Sequence, residues 1–526
     1  ALPSLDSDSL ELFLDGNSSV GLAGTAPQST AGTRAEVRAT RISAIGGLLI
    51  EAANSSTITA RIVSVAAAIS SGQGTNVGVS LTGAGVGNRI GTSVSATLLG
   101  VGDSSLRAAL LKVSASDAST ITATAVGASV SAALGFGNGA AAGVSIGISA
   151  AVNSIRRDVL AAVSDVDDLA VSGALSVTAT SASSIHGSAA AAAISLGIGQ
   201  GPGIAIAGGG SGAGNSVAGA TTALLQNSAA TAANVSVTAS DTSSIKAEVI
   251  SLATAVAGGG NGLAVGAAIG ISAATNTIGE AASPSGVTAS VLNSSLAVSG
   301  DVTVRATNTT SIESVVPTVA VAVAVSVSGT GAGSLSVGGS LSFNTIRTST
   351  SARIDGLQSV AAAPAPLIRA ANLTVEAIDQ SRTSAVVVGV SVAASFAPSG
   401  KVAVGVSFGF AAGVNRISAD TLALLEDTNA RVSGTLAVTA QRQAEIVSAA
   451  VAASVAVAWA QNVGVALAGG GAGSSNVITG HTHADVVRAT IAGPLGANGE
   501  PALAATTLNV SCLLYTSPSP RDRTRS

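Results

Sequence analysis

Two stretches, GVSIG around Ser145 and GVSFG around Ser407, carry the Gly-x-Ser-x-Gly spacing of a nucleophile elbow, in which a sharp strand-to-helix turn exposes a serine hydroxyl for acyl transfer. Both serines hold the same place in a repeated unit: Ser145 lies between a phrase that starts at Leu111 and a recurrent asparagine at Asn153, and Ser407 lies at the matching point between Leu373 and Asn415. Sister stretches read GIAIA with Ala205, GAAIG with Ala268 and GVALA with Ala466, so the pattern reads as strand packing by small residues. A triad also needs a histidine, and the chain has only His186, His481 and His483. In HTHAD, strand alternation would place His481, His483 and Asp485 on one side with about 7 Å between successive side chains, the start of a metal site. No other repeat carries that cluster, and it reads as an exposed polar face and not as a metal site. The glycine runs GIGQGPG and GGGNG lack the Gly-Lys-Ser/Thr that completes a phosphate loop and read as hairpin turns. The acidic pair Asp167 and Asp168 reads as a solvated turn. The expectation is a chain with no catalytic, cofactor-binding or metal-binding residue, and no enzyme.

The elements that position these residues recur. A phrase L/V-x-V/I-x-A, usually followed by Ser or Thr and then Ile, starts at Leu48, Leu111, Leu175, Val235, Val302, Leu373, Leu436 and Leu508, with successive spacings of 63, 64, 60, 67, 71, 63 and 72. A second landmark, Asn-x-Ile/Val, follows each of the first seven starts at a nearly constant distance, at Asn88, Asn153, Asn215, Asn276, Asn344, Asn415 and Asn476. Such self-similarity is the signature of a stacked repeat. The segment up to the asparagine is nearly constant in length and reads as framework. The segment beyond it varies and reads as surface loop, with APAPLI at Pro364 to Ile368 a place where an insertion should be tolerated.

Within VTVRATNTTSI, Val302, Val304 and Ala306 alternate with Thr303 and Arg305, and Glu51, Lys112 and Glu376 fall on the same outward register in other copies. That is a strand with one buried face. The Ser/Thr/Asp/Asn cluster after it is turn chemistry. In PTVAVAVAVSVSGTGAGSLSVGGSLSFN, Val319, Val321, Val323, Val325 and Val327 form one face and Ala320, Ala322, Ala324, Ser326 and Ser328 the other, with no charge from Ser314 to Ile346. Both faces of such strands are expected to be covered, the small-residue face at close range. The fold class is therefore all-β, an elongated repeat β-solenoid resembling a parallel β-helix, with coils of roughly twenty residues and three coils per unit. Stacked antiparallel hairpins in an elongated sandwich are the alternative. The asparagine fits either a left-handed turn position or an inward ladder at a corner.

Composition agrees with thin layers. Only 10% of the residues are charged and 2% aromatic, and Gly supplies 63 positions, so the apolar content is mostly Ala and Val. The ending from Cys512 to Ser526, CLLYTSPSPRDRTRS, breaks every habit of the preceding residues and reads as a non-native, adapter-derived tail. Without Arg521, Arg523, Arg525 and Asp522 the balance goes from 23 against 27 to 20 against 26, a net charge of −6, which offers no basic patch for nucleic acid. The organisation expected is a partial repeat or cap over residues 1–47, tandem β-repeats over 48–511, and the tail over 512–526. Membrane spanning is not favoured: the apolar runs are broken by Gly and Pro, and Trp459 alone cannot furnish the aromatic girdles of a barrel.

The phrase L-x-V-x-A-x-x-x-S-x-I with its Asn-x-Ile partner, over residues 48–511, resembles the β-strand repeats of large bacterial exoproteins of the filamentous-haemagglutinin and autotransporter-passenger adhesin type. The resemblance implies a structural stalk segment, extracellular or on the bacterial cell surface. Its partners would be neighbouring repeats of the same chain and an unknown surface ligand, such as a host glycan. Two other functions stay open: a repetitive surface binding glycan or ice through outward Thr and Ser, and an outer-membrane-inserted β-structure. The outward Thr178, Thr303 and Thr374 are interrupted by Glu, Arg and Lys in sister copies, which weakens the first.

Overall fold

The computed structural model describes residues 31–280, 284–356, 367–400, 402–492 and 507–516. All described strands pair in parallel, in two open sheets of 16 and 14 strands, and no helix occurs among the described residues. The chain is an all-β parallel β-solenoid, and the antiparallel alternative is excluded by the pairing.

The period of the coil differs from the sequence expectation. Leu48 pairs with Leu111, Leu111 with Leu175, and the column continues through Val235, Val302, Leu373 and Leu436 to Leu508. One whole repeat is therefore one coil, and not three short ones. Strand alternation alone could not show this, because it reports which way a side chain points and not which strand lies beside it. In-register stacking of like units places identical side chains over one another, which favours columns of hydrogen-bonding amides and continuous apolar stripes.

A single coil has four strands. A phrase strand (Leu110–Asp117) turns into an outbound strand (Thr120–Gly135), which reaches a tip. A return strand (Ala141–Ser164) comes back along it, and a closing strand (Asp168–Val171) completes the circuit. Phrase and outbound strands belong to one sheet, return and closing strands to the other. The glycine-rich tips thus join strands of different sheets and are not β-hairpin turns.

Two regions result. In the head, the phrase strand, the end of the return strand and the closing strand enclose a core of Leu111, Val113, Val159, Val163, Leu169 and Val171, repeated coil after coil. Three diverging walls leave room for Leu, Ile and Val. In the fin, the outbound strand lies directly on the first half of the return strand, and the core far from the head shrinks to alanines such as Ala193, Ala205, Ala255 and Ala322. Close approach of the layers explains the inward glycines: a Cβ on Gly147 would sit 2.5 Å from the Ala192 carbonyl oxygen of the opposite layer, and one on Gly209 2.7 Å from that of Leu252.

That geometry yields an expected result. Gly147→Ala should cost about 1–3 kcal/mol by overpacking. Gly333→Ala, whose Cβ would enter open space, should stay within about 0.5 kcal/mol of the parent. Urea unfolding midpoints of the two variants check this. Equal midpoints would contradict the close layer spacing.

The stretch after each asparagine is not surface loop. It supplies two of the three head walls, and Ile368, expected in an insertion-tolerant loop, is fully buried in the closing strand Leu367–Ala370. The remaining expected loop, Ala363–Pro366, lies outside the described residues. Ala31–Ser43 pairs with the return strand of the first full coil, and residues 1–30 lie outside the described residues. At the other end the strand Thr507–Thr516 pairs with Thr435–Ala444 and continues through Cys512 to Thr516, past the boundary expected for the tail. Residues 517–526 lie outside the described residues.

Candidate functional site

The side chains with chemical potential are drawn into columns along the solenoid. Asn88, Asn153, Asn215, Asn276, Asn344, Asn415 and Asn476 form one ladder, in which each Nδ2 donates to the next Oδ1 at 2.8–2.9 Å. The ladder points inward, as one of the two sequence alternatives held. It lies within the return strand where fin meets head, and not at a corner or left-handed turn. Among the described residues the non-glycine left-handed positions are Asp165, Asn227, Asn293, Asp427 and Arg488, at the turn between return and closing strands.

A second column occupies the corner after the phrase strand: Asn54, Asp117, Ser181, Asp241, Asn308, Asp379 and Arg442. Its aspartates cap the turn, since Asp117 and Asp379 accept from the backbone N–H of Ser119 (3.0 Å) and Ser381 (3.1 Å). They also point inward: Thr92 donates to Asp117 (2.8 Å), and Thr348 (2.9 Å) and Thr350 (3.2 Å) donate to Asp379. Arg157, fully buried, pairs with Asp241 and also donates to the Ser181 hydroxyl, to the Ser243 hydroxyl (2.9 Å) and to the Ala218 carbonyl (3.3 Å). Sequence reading missed this pair because Arg156-Arg157 looks like a surface doublet. The signal was parity, since Arg157 shares the inward register of Ile155 and Val159, whereas Arg156 points out to Glu280 at 3.1 Å.

The elbow-like serines are structural. Ser145 and Ser407 are buried within the fin, in extended strand. Ser145 donates to the Ser129 carbonyl (2.8 Å), and Ser407 meets the Ser391 hydroxyl (2.8 Å), while the Ser454 hydroxyl donates to the Ser407 carbonyl (2.7 Å). Further hydroxyls cross the layers in the same way, Ser336 to Ala320 (2.8 Å) and Ser391 to Ser336 (2.8 Å). The register also corrects two alignments: Ser145 stacks on Ser80 and Ala207, not Ala205, and Ser407 on Ser336 and Ala468, not Ala466. Ala268 occupies the same column. Because alanine already stands at three of its positions, Ser145→Ala and Ser407→Ala should each cost no more than about 1 kcal/mol, the net worth of a hydrogen bond. A fluorophosphonate probe should label neither serine. Labelling lost in the alanine variants would overturn the structural role.

The remaining candidates lie on the surface. His481 and His483 stack with ring centroids 6.0 Å apart, and His481 Nδ1 lies 3.2 Å from Asp420 of the preceding coil. No group of three or more His, Cys, Asp or Glu placed to hold a metal ion occurs among the described residues. Asp167 is not a merely solvated turn residue: the Ser104 backbone N–H (2.9 Å) and hydroxyl (3.0 Å) bond its carboxylate and hold its pKa below the usual carboxylate range. Asp168 pairs with Arg107 at 3.0 Å in an exposed bridge. His186 joins a polar group with Lys246 and Glu248, where the lysine, bonded at 2.9 Å, keeps the glutamate pKa low.

What remains is the fin surface. On the outbound strands, polar side chains occupy the first outward positions near the head and mostly apolar ones the rest: Lys246 and Glu248, then Ile250, Leu252 and Val256, with Thr254 among them. In the next coils Glu313 precedes Val315 to Val325, and Arg382 precedes Val386 to Phe396. The return strands mirror this, with Val402, Val404, Val406, Phe408, Phe410 and Val414 ahead of Arg416. The sequence expectation that both faces would be covered is thus half met. The Ala/Ser face is buried between the layers, and the Val/Ile/Phe face points outward, half-buried at Val319 to Val325 and exposed at Ile250 (48% accessible), Phe408 (42%) and Trp459 (55%).

No family model matches the chain, and no curated protein and no solved structure shows significant similarity to it.

Proposed function

We propose that this chain is a structural, non-catalytic stalk segment of a bacterial secreted or cell-surface protein of the adhesin type. The observation that carries this reading is the in-register column of eight phrase starts, which makes each unit a rung whose neighbours are copies of itself. In such a scaffold length grows by adding rungs, and the inward polar groups are consumed in ladders that hold rung to rung. The ladder amides, the buried aspartates and the serines Ser145 and Ser407 are engaged in hydrogen bonds within the scaffold, which supports a structural role for them. The glycan- or ice-binding alternative draws on the outward phrase-strand residues, where Thr238 donates to Thr178 at 3.3 Å. The column that contains them continues to Arg305 and Glu376, an ion pair at 3.1 Å, so it offers no uniform threonine array.

Two experiments test the reading. Deletion of one whole rung, residues 235–301, should leave a folded, shorter solenoid with the same circular-dichroism signature. Deletion of half that stretch should not fold. Antibodies against the chain should label intact, unpermeabilised cells of the producing bacterium or its culture supernatant. Labelling only after lysis would contradict the surface assignment.

A further inference from the structure

The two outer faces of the fin are the largest anomaly of the molecule, because parallel sheets are normally covered on both sides and exposed apolar patches beyond a few hundred Å² mark contact surfaces. We propose that these faces are self-association surfaces, through which copies of this chain stack fin against fin.

Size supports a protein occupant. Each face spans seven described return or outbound strands. At strand spacings of about 4.8 Å and an apolar length of about ten residues, a face measures on the order of 1,000 Å². A standard stable interface needs about 800 Å² per partner. Charge points the same way. Arg156, Arg347 and Arg416 on the return strands, and Lys246, Glu313, Arg382 and Glu445 on the outbound strands, all stand at the head end of the fin. Two fins can therefore meet without desolvating a charged group.

The return face also has relief on the scale of a rung. Gly208, Gly210, Gly212 and Gly214 form a furrow in one coil, beside Ile146 and Ile148 in the preceding coil and Ile269 and Ile271 in the following one. A furrow one rung wide between two ridges suits a ridge of a second copy of the same surface. Because both faces are apolar and one contact covers only one of them, assembly proceeds beyond the dimer.

Sedimentation velocity on the full chain, with circular dichroism as the folding control, tests the proposal. The wild type should form concentration-dependent species larger than a dimer. Ile148→Lys with Ile271→Lys on the return face, or Ile250→Lys with Val386→Lys on the outbound face, should each stop assembly at the dimer. The four substitutions together should give a folded monomer. A wild type that stays monomeric up to high micromolar concentration would overturn the proposal, as would oligomers indifferent to all four substitutions. A monomer that instead floats with phosphatidylcholine/phosphatidylglycerol vesicles would also overturn it and assign the faces to lipid.

Discussion

Asp241→Ala should destabilise the solenoid by about 3–5 kcal/mol, the usual consequence of removing one partner from a buried ion pair. The Arg157 guanidinium has no exposed surface, and the remaining groups around it are the Ser181 and Ser243 hydroxyls and the Ala218 carbonyl, none of which carries charge. The cost therefore comes from the stranded cation more than from the lost attraction. This separates the variant from Arg157→Leu combined with Asp241→Leu, which removes both charges and should cost no more than about 1–3 kcal/mol, the penalty for the buried Ser243 N–H and hydroxyl that donate to Asp241. Urea unfolding of the three proteins reads the difference. A double variant as unstable as Asp241→Ala would show that the pair itself holds the corner together.

Val304→Asp is the second large effect. Val304 is fully buried in the head, stacked on Val237 in one neighbouring coil and Val375 in the other. A carboxylate there meets no cation and should cost several kcal/mol, enough to unravel its own rung and loosen the two beside it. Thr303→Asp, one residue earlier and on the outward register, should shift stability by no more than about 0.5 kcal/mol. Comparable losses in the two variants would mean that the phrase strand lacks a single buried face.

The contrast between these neighbouring residues shows what could be read from the chain. Alternation of Val302, Val304 and Ala306 with Thr303 and Arg305 was legible because strand geometry converts parity directly into burial. The recurrent asparagine was legible only as one of two alternatives, a left-handed turn position or an inward ladder at a corner, and the ladder forms within a strand. The length of the coil was not legible. It depends on pairing between distant copies, Leu111 on Leu175, and any coil length that divides the repeat leaves the same alternation in sequence. Nor was the outward placement of the valine face. Hydrophobicity alone would cover Val319 to Val325, but away from the head the layers meet so closely that mainly Ala, Gly and Ser fit between them, and most larger side chains are left outside. Phe410 shows the result: its ring lies over Gly339 of the adjacent coil, and Phe408 covers Gly469 on the other side, an aromatic shield for glycines on an outer face.

The coil length also decides how far each repeat advances the structure, and paired nitroxide labels at Thr303 and Thr374 measure it most directly, with Cys512 replaced by serine. The two threonines are register partners on the outward face of adjacent coils. If one repeat is one coil, the backbones at the two labels lie about 5 Å apart and the spectra should show strong dipolar broadening and spin exchange. If each repeat made three short coils, the same sites would be three rungs apart, about 14 Å, and exchange would be lost. Absence of exchange between labels at these positions would contradict the one-repeat, one-coil solenoid.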